Sequence, residues 1–242
     1  MPFLLRPMEE SDIPAYDRLM HSAFSIDGLM PLFYPNGFSD ADRTHSTLSV
    51  RKKLADPLYR YMIAIDTDLE PLPQDAHIPR DIVDSTELQA LRSSQSGRAV
   101  GISVWKFYEH DRSEEELAAD DAKAAAEPLP PTADRRVLAA FFGARDKAAK
   151  KYLGGKAHVL LNILATDPLH HRRGVGATHL EWGLKEADRL GLMAYLEASQ
   201  MGKPLYARWG FEEIADLEFD ARDFGSESRK LHTLMIRPAK KD

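Results

Sequence analysis

Apolar positions along this chain follow two spacings, and the switches between them mark its elements. Short apolar or alternating runs, the pattern of strands, occur at 3–7, 60–65, 99–108, 158–166, 192–196, 211–219 and 231–237. Helical spacing runs through Ile13, Tyr16, Leu19 and Met20 behind an acidic Glu9-Glu10-Ser11-Asp12 start, over 41–55, and through Val137, Leu138, Phe141 and Phe142 in 135–152. It returns at Ala177, Leu180, Leu184 and Ala187, with Glu181 four residues before Lys185 on the wet side. The stretch 24–37 carries Phe24, Met30, Phe33 and Tyr34 but is broken by Pro31, Pro35 and Gly37, and the expectation there is a loop.

Two stretches interrupt this order. Residues 66–97 are polar and hold Pro71, Pro73 and Pro79, so the strands at 60–65 and 99–108 read as neighbours separated by a long surface excursion. Residues 109–127 are charged and alanine-rich, closed by Pro128-Leu129-Pro130-Pro131, and the acidic runs Glu114-Glu115-Glu116 and Asp120-Asp121 read as a solvated face. No internal repeat is visible. The expectation is one domain over 1–242, with a loop insertion at 66–97, a charged and helical insertion at 109–156, and a continuous core at 158–237.

Composition narrows the chemistry. A chain of 242 residues with 43% apolar content can bury one substantial core. A formal charge of −6 and a pI near 5.9 offer no overall attraction to nucleic acid or an anionic membrane. The absence of cysteine excludes disulfides, cysteine-ligated zinc and a cysteine acyl-enzyme. No apolar run has the length of a secretory signal core or approaches the ~20 residues that span a bilayer. A soluble, cytoplasmic protein is expected, as a monomer or homodimer.

The chemistry concentrates after 158. The run His158-Val-Leu-Leu-Asn-Ile-Leu-Ala-Thr166 must stop as a strand at Asp167-Pro168, because proline has no ladder donor. A basic glycine turn, His170-His171-Arg172-Arg173-Gly174-Val175-Gly176, then opens a helix. Glycines permit close backbone approach, a helix start presents unpaired N–H groups, and the arginines add positive charge. Together they predict a site for an anion such as phosphate. A Walker loop is absent, and the third glycine of a dinucleotide fingerprint is replaced by His179, which disfavours ATP and NAD. His170 and His171 beside Asp167 invite a metal reading, but adjacent turn residues seldom converge on one ion, and no metal is expected.

Leu164-Ala165-Thr166 followed by His171-Arg172-Arg173-Gly174-Val175-Gly176 resembles the strand end and Gln/Arg-x-x-Gly-x-Gly/Ala signature of the GNAT superfamily of acetyl-CoA-dependent N-acetyltransferases. His171 stands where the family usually has Gln or Arg. Leu196-Glu197-Ala198-Ser199 and then Leu205-Tyr206-Ala207-Arg208-Trp209-Gly210-Phe211 resemble its later strand and Leu-Tyr-x-x-x-Gly-Phe ending, with Ser199 where many members have Asn. The resemblance covers 158–237, and the first strand and helix also begin as in the family. It implies an α/β GNAT-type acyl-CoA N-acyltransferase fold, a mixed central sheet flanked by helices, with long insertions before residue 158.

It also implies roles. Main-chain atoms of Leu164, Ala165 and Thr166 would hold pantetheine and the acetyl carbonyl, the turn from His171 through Arg172, Arg173, Gly174 and Val175 to Gly176 the pyrophosphate, and Ser199 would lie beside the cofactor. The acetyl-CoA co-substrate would lose its acetyl group by direct attack of an amine, with Tyr206 as general acid to the thiolate. The position of the family's strand glutamate falls near Leu160, which carries no proton. Glu197 remains as a candidate base or water-positioning group, with Asn162 or His158 assisting. Phe24 and Tyr34 are candidates for the acceptor side, together with Asn162. The expected reaction is acetyl transfer to a primary amine of a small molecule. A peptide or protein amine, a non-catalytic acyl-CoA-binding module and a nucleotide-phosphate enzyme are the alternatives. Gly174→Glu puts a side chain and a negative charge into the anion site. Titration calorimetry with acetyl-CoA should show binding abolished, and unchanged affinity would remove the turn from the cofactor site.

Overall fold

The computed structural model describes residues 3–72, 97–229 and 232–240. Its strands are β1 (Phe3–Pro7), β2 (Tyr59–Asp66), β3 (Arg98–Tyr108), β4 (His158–Thr166), β5 (Met193–Ser199), β6 (Glu212–Asp216) and β7 (His232–Arg237). The helices are α1 (Ile13–Asp27), α2 (Met30–Phe33), α3 (Asp40–Leu54), α4 (Glu114–Ala126), α5 (Arg135–Leu153), α6 (Val175–Arg189) and α7 (Lys203–Arg208). The strands form one seven-stranded sheet in the order β1-β2-β3-β4-β5-β7-β6. Every pairing is antiparallel except β4 with β5.

Local chemistry explains most helix starts. Ser39 accepts from the Asp42 N–H while Asp42 answers the Ser39 N–H, a capping box repeated by Ser113 and Glu116 at α4. Asp134 caps α5 through the Arg136 and Val137 N–H groups. The stretch expected as a loop at 24–37 is instead largely helical. α1 runs on to Asp27, closes on Gly28 at φ 76°, and Pro31 sits in the first turn of α2, where its missing N–H has no helical partner to lose. The expected strand at 211–219 is shorter than its apolar pattern, because Leu217 and Phe219 turn into the core beyond β6. The 66–97 excursion lies mostly outside the described residues.

The sheet is covered on both faces. α6 and α7 pack on one, where Trp105, Phe107, Val159, Leu161, Leu180, Leu184, Leu196, Tyr206 and Phe211 form a cluster. The other face carries α1 and α3 over Ile63, Ile102, Val104 and Ala165, and α5 over Tyr195, Leu217 and Leu234. α4 buries none of its residues and is tied down by ion pairs from Asp120 to Arg112 and from Asp121 to Lys150.

α6 is seated on β3 by close approach. A Cβ at Gly183 would lie 2.2 Å from the Trp105 indole. The indole N–H donates to Ser103 Oγ at 3.0 Å, and that hydroxyl is 2.8 Å from Nδ1 of the fully buried His179. Burial pushes the His179 pKa down to about 3, so the ring is neutral. The residue that breaks the dinucleotide fingerprint is thus a core anchor. Gly183→Ala gains up to ~1 kcal/mol of helix propensity, but the methyl overlaps an indole enclosed on all sides, and overpacking costs about 1–3 kcal/mol. The overlap should win and lower Tm by several degrees in thermal unfolding; an unchanged Tm would mean that Trp105 can yield.

Candidate functional site

The parallel pair β4–β5 joins only His158 to Met193, Val159 to Ala194 and Leu160 to Tyr195. Past that point each strand stays paired on its far side, β4 with β3 out to Thr166↔Gly101 and β5 with β7 out to Ser199↔His232. The facing edges of 161–166 and 196–199 therefore part, and their main-chain groups are released from each other. A register shift between Val104↔Ile163 and Trp105↔Leu161 makes Asn162 an extra residue in β4, a bulge at the start of the gap. Bulges bend a strand, which accounts for the parting.

The turn beyond Thr166 is held from beneath. Asp167 is buried and ion-paired with Arg18 of α1 at 2.9 Å; Arg18 also donates to the Ala99 carbonyl at 2.7 Å. The Asp167 N–H donates to Val100 O, and its carboxylate accepts the Leu169 N–H. The His171 imidazole meets the Thr166 carbonyl at 3.2 Å. Arg173 reaches back, with its guanidinium 2.7 Å from the fully buried Asp66 and against His170 and the Phe3 ring. Arg173 stays exposed at its outer edge; Arg172 is exposed too and adopts φ 63°.

The two glycines of the turn serve different ends. Gly174, at φ 93°, caps α6 and has no atom within 4 Å of an added Cβ, so it borders open space. A Cβ on Gly176 would come within 3.0 Å of Leu205, so this glycine lets α6 and α7 approach. The bond from the Thr178 N–H to the Gly174 carbonyl is the first of the helix. The N–H groups of 175–177 precede it and point out of the helix end, where the macrodipole favours an anion.

Tyr206 on α7 lies in the cluster with Leu161, Leu196 and Ala198 beside the gap, edge-on to Phe211 at 6.0 Å. Burial raises its phenol pKa well above the ordinary value, keeping it protonated. Ser199 Oγ accepts the Gly202 N–H at 3.2 Å and so braces the entry to α7. Leu164 packs beside that cluster, and Ala165 faces the α1 side.

On the opposite sheet face, Arg145 of α5 donates to Glu197 at 2.9 Å and to Asn162 Oδ1 at 3.1 Å, bringing both candidates together. Phe141 and Phe142 flank the guanidinium at 5.9 and 5.7 Å. Neither Arg145 nor Lys106, which lies on the same face, was singled out by sequence reasoning. Each leaves a sequence trace: Arg145 interrupts the buried Phe141–Ala148 stripe of α5, and Lys106 interrupts the apolar run of β3. His158 begins β4 as expected, Nδ1 held by the Lys156 carbonyl at 2.7 Å, with burial lowering its pKa. Phe24 packs with the α1 cluster. Tyr34 is edge-on to Phe38 at 5.0 Å, with burial pushing its pKa up to about 12.

No family profile matches the chain. A probable acyltransferase, SID5, from Ajellomyces capsulatus is 32% identical over 56 residues, 23% of this chain and 41% of that protein, so the match spans less than half of the curated relative. Solved structures align across the whole length. A mosquito arylalkylamine N-acetyltransferase-like protein superposes with a TM-score of 0.59 at 14% identity, covering 97% of this chain and 99% of the other. The histone acetyltransferase HPA2 and related acetyltransferase of Corynebacterium glutamicum gives 0.56 at 19%, covering 100% and 99%. The polyamine N-acetyltransferase of Drosophila melanogaster gives 0.55 at 12%, covering 97% of each. The chain has the GNAT-type acyl-CoA N-acyltransferase fold, a mixed sheet flanked by helices.

Arg145→Met leaves the Glu197 carboxylate buried without its cation. Breaking such a pair costs about 3–5 kcal/mol, and denaturant unfolding should show a loss of that size. Adding Glu197→Gln should recover most of it; no recovery would mean that the loss comes from packing.

Proposed function

We propose that this chain is an acetyl-CoA-dependent N-acetyltransferase that passes the acetyl group directly to a primary amine of a small molecule. The observation that carries this reading is the parting of β4 and β5 above an open glycine turn. Released strand edges need hydrogen-bond partners, and the amides of a pantetheine arm are extended, neutral and alternating in donor and acceptor. The N–H groups at the head of α6, with Arg172 beside them, suit the pyrophosphate. No metal is needed for this chemistry.

Each named residue then takes a part. Main-chain groups of Leu164, Ala165 and Thr166 bind the arm and polarise the acetyl carbonyl, placing donors where oxyanion charge develops. His171, Arg172, Arg173, Gly174, Val175 and Gly176 shape the anion cradle, Arg173 from behind through Asp66. Ser199 holds the far edge. Tyr206 donates the proton that the departing thiolate needs, and its buried phenol retains that proton at neutral pH. Glu197 acts through Arg145 to position Asn162 at the bulge, a role its ion pair suits better than that of base.

A small acceptor is favoured because α5 of the 109–156 insertion covers the sheet face around Asn162 with Arg145, Phe141 and Phe142. Phe24 and Tyr34 would line the same approach from the α1 side. Two of the structural relatives are named for small amines, arylalkylamine and polyamine, which agrees with this; the histone enzyme is named for a protein acceptor.

Thiol release from acetyl-CoA against a panel of amines and peptides tests the reading, which fails if no acceptor is turned over. Tyr206→Phe should lower kcat by roughly 10- to 10⁴-fold, the range of a general acid or somewhat less, with acetyl-CoA affinity little changed. An unaltered kcat would take Tyr206 out of the mechanism.

A further inference from the structure

Lys106 lies on β3 directly across from Leu160, the last β4 residue paired with β5 before the strands part. Paired residues of antiparallel strands share a face, and on this face Lys106 joins Tyr59 of β2, Leu160 of β4 and, beyond Leu160, Tyr195 of β5. Asn162 at the bulge is its diagonal neighbour, a separation of about 7–8 Å that long side chains bridge. Lys106 is half-buried, and among the described residues no carboxylate lies within ion-pair distance of it. Its ammonium rests over the Tyr59 ring, 5.2 Å from the centroid.

The groups that face it come from every surrounding element: Lys53 of α3, Tyr59 of β2, His158 of β4, Arg145 and Asp146 of α5, and Glu197 of β5. Burial is the largest influence and lowers the lysine pKa; Arg145 and then Lys53 lower it further, while Asp146 and Glu197 oppose them, leaving it at about 8. Glu197 already serves Arg145. A cation enclosed beside other cations, with no carboxylate of its own, is costly unless its neutral form is used.

From this placement we infer that Lys106 is the general base of the acetyl transfer, taking the proton from the acceptor ammonium at the Asn162 bulge. The inference rests on the acetyltransferase reading and adds to it the proton acceptor that Leu160 and the ion-paired Glu197 do not supply. The flexible four-carbon stem turns from Tyr59 across Leu160 to meet the amine. Neutral Nζ accepts one proton from R–NH3+. The freed lone pair forms the C–N bond to the acetyl carbon, and the C–S bond breaks. Sulfur leaves with the proton of Tyr206, which is made good from the nitrogen as the amide forms. The products are the amide, the thiol and one proton on Lys106, which passes to solvent.

The test compares the wild type with Lys106→Met and Lys106→Arg. Wild-type kcat/KM for the amine should rise with pH through about 8, because only the deprotonated lysine accepts a proton. Lys106→Met should lower it by roughly 10²- to 10⁴-fold at neutral pH. That variant should lose the limb near 8 and regain rate as the pH approaches the amine's own pKa. Lys106→Arg should not restore it, and calorimetry should show acetyl-CoA binding kept in both variants, which certifies their folding. Restoration by arginine would make Lys106 a recognition cation and overturn the base role, as would an unchanged limb in Lys106→Met. Independently of turnover, reductive 13C-methylation with NMR should show the resonance that disappears in Lys106→Arg titrating near 8. Turnover by a wild type whose Lys106 titrates near 10.5 overturns the base role alone. No turnover with any amine, despite titration near 8, overturns the acetyltransferase reading and the base role with it.

Discussion

A strand that is paired on one side and abandoned on the other is the constraint on which the rest of this molecule turns. β4 keeps its antiparallel partner β3 to its last residue but gives up β5 after Leu160, and the extra residue at Asn162 makes both possible at once. Main-chain donors and acceptors in a sheet interior are expensive to leave without partners. Two strands can part in this way only where something else, solvent or an extended ligand, completes the hydrogen bonds. The gap therefore leaves the facing main-chain groups of 161–166 and 196–199 open to such a partner.

The gap ends at a turn whose rigidity comes from beneath. Arg18–Asp167 and Arg173–Asp66 tie the end of β4 and the glycine turn to α1 and β2, with both carboxylates buried. A buried carboxylate that loses its cation is strongly penalised, so these pairs fix position more than they add stability. α6 is fixed from the other side by Gly183 against Trp105 and by His179 against Ser103. The head of α6 is thereby held from both sides.

Charge on the opposite face is arranged around the bulge. Arg145 satisfies Glu197 and Asn162 together, and Lys106 is left as a cation beside cations. Such an arrangement is costly for a fold while the lysine keeps its proton. It depends on α5, which lies between β3 and β4 in the chain and packs over this face of the sheet.

The sequence by itself determined the strands, most helices and the glycine turn, because these follow from local spacing: alternating apolar runs, capping residues, prolines and glycines at fixed offsets. It also carried the family resemblance across 158–237, where the motifs are contiguous. Local pattern failed at 24–37, since proline in a helix's first turn looks the same as proline in a loop. Only the tertiary structure decided that Arg173 pairs with Asp66, and that Gly176 serves helix packing while Gly174 borders open space. It alone paired Glu197 with an arginine 52 residues away and set Lys106 opposite Leu160. Each of these depends on which strands become neighbours and in what register, and such long-range pairing leaves no trace in the spacing of residues along the chain.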